Sequence, residues 1–76
     1  ESKVIGGTSM NFMDLFDMVT SDPQVSAYIN SISSNDEKSL QKRKLIDILV
    51  DAWNTGQFNI RQVYKGLGIK KQEANQ

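Results

Sequence analysis

The stretch from Ser34 to Gly56 constrains this chain more than any other part of it. Ser34-Asn35-Asp36-Glu37 fits a capping box, in which the serine hydroxyl accepts from the amide three residues on and the glutamate reaches back. Gly56 is placed to end the helix, because glycine enters the left-handed region without steric cost. Between these signals, Leu45, Ile46, Ile48, Leu49, Val50, Ala52 and Trp53 span about 200° of the helix circumference. Arg43, Lys44, Asp47 and Asp51 take the opposite side. A helix that long in a chain of 76 residues leaves the remaining segments to pack along it. The expected fold is all-α, a compact bundle of four to five short helices packed around Leu45, Leu49, Trp53, Ile60, Val63 and Leu67.

A chain this small buries only about 60% of its unfolded surface, so a modest set of apolar side chains must carry the core. Self-association is an inexpensive way to bury more. The sequence has no cysteine and no histidine, which removes disulfide staples and the usual zinc ligands. No apolar run approaches the ~18 residues that span a bilayer, and no signal-peptide pattern opens the chain. The expectation is a cytoplasmic protein, or a nuclear one in a eukaryote, with no membrane partner.

Zero net charge conceals a division. Residues 1–37 carry one cation, Lys3, against six carboxylates, whereas residues 38–76 carry eight cations against three carboxylates. Such asymmetry suits an anionic partner for the basic half, or attraction between the halves within the fold or across a dimer.

Residues 1–9 show no periodicity and contain Gly6-Gly7. They read as a disordered leader or an artificial linker, with Met10 a natural start and residues 10–76 a single helical domain. From Met10 to Thr20 the chain is densely apolar apart from Asp14 and Asp17, which share one polar stripe. That helix is either a core element or an interface, and its three methionines suit a pliable contact surface. Met10, Phe12, Met13 and Phe16 are the candidate homodimer contacts. Asp22-Pro23 restarts the chain as N-cap and first helical residue. A second amphipathic helix, with Val25, Tyr28, Ile29 and Ile32, follows to about Ser33.

Residues 59–71 give the functional lead. Asn59 suits an N-cap, and Ile60, Val63 and Leu67 fall on one helical face. Gly68 then marks a sharp turn, Ile69 is apolar, and Lys70-Lys71 open a basic segment. The pattern of cap, buried Val63 and Leu67, turn Gly68, Ile69 and inward Ala74 resembles the helix-turn-helix of DNA-binding proteins over residues 59–74. Tyr64 departs from it, because that family places a small side chain there. The resemblance implies a second helix in the major groove. On that basis Lys70, Lys71 and Gln72 would reach base edges, with Gln72 suited to adenine. Arg61 and Lys65, four residues apart, would contact phosphates, with Asn59 at the helix start. Lys42, Arg43 and Lys44 would add a second phosphate patch.

The expected function is therefore a small DNA-binding domain, a transcription regulator or replication accessory protein, acting on double-stranded DNA as a homodimer. The alternative is a protein-interaction or oligomerisation module that binds no nucleic acid. Catalysis is not expected: general acid–base and covalent chemistry most often use His or Cys, and the same-face pairs Asp14/Asp17 and Asp47/Asp51 lack a convergent third group. No cofactor, metal or small-molecule substrate is expected.

Overall fold

The computed structural model describes residues 2–70. Its elements run β1 (Lys3–Ile5), β2 (Thr8–Met10), α1 (Phe12–Thr20), α2 (Pro23–Ser31), α3 (Asn35–Thr55) and α4 (Ile60–Leu67). The fold is mostly helical, with a small two-stranded sheet ahead of four helices.

Capping chemistry sets each helix boundary. Asn11 accepts the Asp14 amide at 2.8 Å while the Asp14 carboxylate accepts the Asn11 amide at 3.0 Å, a capping box that starts α1 two residues later than expected. Asp22 accepts from the amides of Gln24 and Val25, with Pro23 at the first position of α2. Ser34 accepts from Glu37 at 3.3 Å to open α3. Glu37 makes no return bond to the cap. Its carboxylate instead accepts from Gln41, one turn on, at 2.7 Å. Gly56, at φ 72°, closes α3 as expected.

Leu15, Val19, Val25, Leu45, Leu49, Val63 and Leu67 form the core, drawn from all four helices. Trp53 and Ile60, expected inside, are half-buried and pack on its margin. α1 runs antiparallel to α3. Phe12 at its start meets Trp53 edge to face at 5.9 Å, and Thr20 at its end shares a groove with Lys42. The wide apolar arc expected on α3 is only partly covered: Ile46 and Val50 keep 44% and 42% of their surface exposed.

The all-α expectation needs correcting at the front of the chain. Where a disordered leader or linker is expected, Lys3 pairs with Met10, Val4 with Ser9 and Ile5 with Thr8 in an antiparallel ribbon. Gly6 and Gly7 both take positive φ and form its two-residue turn. A ribbon of this size is marginal alone, so it depends on docking. Ile5 is buried, and the Lys3 ammonium donates to the Trp53 carbonyl at 3.0 Å while lying 5.2 Å from the indole centre. Ile5→Ala is expected to cost about 2–3 kcal/mol, read by chemical denaturation. An unchanged midpoint would mean that residues 3–10 do not dock.

A missing side chain on α4 makes room for α3. A Cβ on Gly66 would overlap the Ile48 Cδ1 methyl and lie 3.2 Å from its Cγ1. Alanine at 66 gains helix propensity of about 1 kcal/mol but displaces that methyl. Gly66→Ala is therefore expected to be more favourable in an Ile48→Val background than in the wild type, by about 1 kcal/mol in a double-mutant cycle. Equal effects in both backgrounds would contradict this packing.

Candidate nucleic-acid interface

α4 forms over the residues its pattern predicts. The Asn59 side chain accepts the Arg61 amide at 2.9 Å, so its carbonyl oxygen serves the cap. Val63 and Leu67 are buried. Gly68 ends the helix at φ 74°, where its N–H donates to the Lys65 carbonyl at 3.2 Å and the Ile69 N–H donates to Tyr64 at 2.8 Å. These two bonds make a Schellman turn. Ile69 packs back against the core, so the chain leaves α4 in a defined direction.

Burying Val63 and Leu67 sends Arg61 and Lys65 to the opposite side of α4, and both are exposed, as is Lys70 beyond the turn. No carboxylate occurs anywhere from Ala52 to Gln72, so this surface is cationic without an acidic neighbour in sequence. Lys65 also lies in the last turn, where a cation complements the helix dipole. Gln62, exposed beside Arg61, shares this surface and was not singled out from the sequence; its place next to Arg61 was the available signal. Lys71 and Gln72 lie outside the described residues, as does Ala74.

The Lys42-Arg43-Lys44 triplet is not one patch. Successive residues of a helix point about 100° apart, so three in a row cover some 200°. Lys42 lines the groove shared by α1, α2 and α3. Lys44 is one turn before Ile48, on the side of α3 that α4 crosses, and Arg43 points between the two, away from the core. The proposed dimer residues also divide. Met10 and Phe12 are half-buried against the core, Phe16 lines the same groove, and Met13 is 58% exposed.

Tyr64, the departure from the helix-turn-helix pattern, has its own role. Its hydroxyl donates to the Asp22 carboxylate at 2.9 Å, the same oxygen that caps α2, and so ties α4 to the start of that helix. The large side chain spans to α2, while Gly66 allows the close approach to α3.

Among the described residues there is no group of three metal-ligating side chains, and no helix is long and apolar enough to cross a membrane. Comparison with known protein families, curated proteins and solved structures finds no match to this chain.

Burial, then the hydrogen bond to Asp22 and that carboxylate's charge, push the Tyr64 phenol above its ordinary value of 10.0. The folded state thus favours the neutral phenol. Its contribution is complete below pH 10 and is lost as pH rises from there through the raised folded-state value. Tyr64→Phe is expected to cost about 1 kcal/mol at neutral pH and to shrink the decline in stability above pH 10. Identical alkaline profiles for the two proteins would contradict the linkage.

Proposed function

We propose that this domain binds double-stranded DNA through α4 and the segment that follows Gly68. The observation that carries the reading is the pairing of a defined glycine turn with an exposed cationic surface in a stretch, Ala52 to Gln72, whose sequence holds no carboxylate. Arg61 and Lys65 stand one turn apart on the outer face of α4, a spacing of about 6 Å that suits neighbouring phosphates along a strand. Lys70 extends the charge past the turn, and Lys44 can join from α3. Lys42 and Arg43 leave the interface in this arrangement.

Phosphate contacts would position the domain, and any base reading would fall to the residues after Gly68, with Lys70 first. The reading resembles the use of a helix-turn-helix, with the supporting helix supplied by α3. The rival, an interaction module without nucleic-acid binding, draws on a different surface, the uncovered apolar side of α3 and α1.

Fluorescence anisotropy with a random-sequence duplex separates the two. Wild type is expected to bind at low salt and to weaken steeply as salt rises. Arg61→Glu/Lys65→Glu is expected to abolish binding while the helical circular dichroism is retained. Milder Arg61→Gln should lower the salt slope by about 0.9, one phosphate contact's worth. No binding by the folded wild type at low salt would overturn the proposal.

A further inference from the structure

An apolar groove of about 360 Å³ opens between α1, α2 and α3, floored by Phe16, Val25, Ile29 and Leu45. Its two flanks continue outward onto solvent. On the α1 side, Met13 is 58% exposed, with Asp17 one turn on from it. On the α3 side, Ile46 and Val50 stand one turn apart at 44% and 42% exposure, with Lys42 on the rim and Arg43 exposed beside them. Apolar side chains clustered on one face of so small a domain mark a contact surface.

The charges identify what covers it. Asp17 makes the α1 flank acidic, whereas on the α3 flank Lys42 and Arg43 outnumber Asp47, one turn on from Arg43, and leave it with a net positive charge. Each flank is therefore complementary to the other and repels its own kind. A two-fold axis over the groove satisfies this twice, because it sets the α1 flank of each copy against the α3 flank of the other. The chain's net charge is zero, so no long-range repulsion opposes the approach of two copies.

We propose that this face is an isologous dimer interface. Met13 of one copy packs on Ile46 and Val50 of the other, and Asp17 pairs across the axis with Arg43. α4 stays clear of it. Ile48, the residue of α3 that meets Gly66, lies two residues from Ile46 and so about 160° around the helix. The dimer thus presents two cationic α4 surfaces outward and does not rest on the nucleic-acid reading.

Sedimentation equilibrium over a range of protein concentrations, without DNA, tests this. Wild type is expected to dimerise reversibly. Ile46→Glu should weaken the dimer at least about tenfold, since it places an unpaired charge in the apolar seam. Asp17→Lys should weaken it too, and Asp17→Lys/Arg43→Asp should restore it, a rescue that loss of folding cannot mimic. A wild-type monomer at every concentration overturns the proposal. So does a dimer indifferent to both Ile46→Glu and Asp17→Lys, or one that the charge swap fails to rescue.

Discussion

Everything in this domain depends on what packs against one face of α3. Helices α1, α2 and α4 have nine, nine and eight residues, well below the ~12–15 at which an isolated helix becomes even marginal in water. None holds its shape on propensity alone. Each exists because it adds to one core with Leu45 and Leu49: α1 and α4 contribute a pair apiece, Leu15 with Val19 and Val63 with Leu67, and α2 contributes Val25. The caps determine where these helices begin, and the shared core determines that they form at all.

The same dependence explains the role of individual contacts far from the core. Tyr64 and Asp22, 42 residues apart in sequence, join α4 to the start of α2 through an oxygen already engaged in capping. Lys3 joins the front of the chain to the end of α3 across 50 residues. A small domain with few buried side chains gains from such ties, because each restrains an element that the core holds at only one or two points.

Much of this was legible in the sequence because it is local. Ser34, Gly56, Asn59 and Gly68 act on backbone groups within a turn of themselves, and the boundaries they imply for α3 and α4 agree with the structure. What escaped is non-local. The ribbon at residues 3–10 has too few residues for a periodic signal and is stabilised by Trp53, whose position sequence cannot supply. Gly66 carries no local signal of its role, which is to leave room for Ile48 of α3. Seven apolar residues span a wide arc of α3, and three short helices cover only part of it, which leaves Ile46 and Val50 partly in solvent. At the candidate interface, the exposure of Arg61 and Lys65 opposite buried Val63 and Leu67 follows from helical spacing. The scatter of Lys42, Arg43 and Lys44 follows from helix geometry and was hidden by their adjacency in sequence.

Two surfaces therefore emerge on different sides of α3, one cationic and one apolar with opposed charges. Amide chemical-shift mapping with a short random duplex tests their separation most directly. The account predicts shifts concentrated at residues 59–70, strongest around Arg61, Lys65 and Lys70, with Met13, Asp17 and Ile46 unmoved. Shifts centred on the α1–α3 groove, or none at all at low salt, would contradict it.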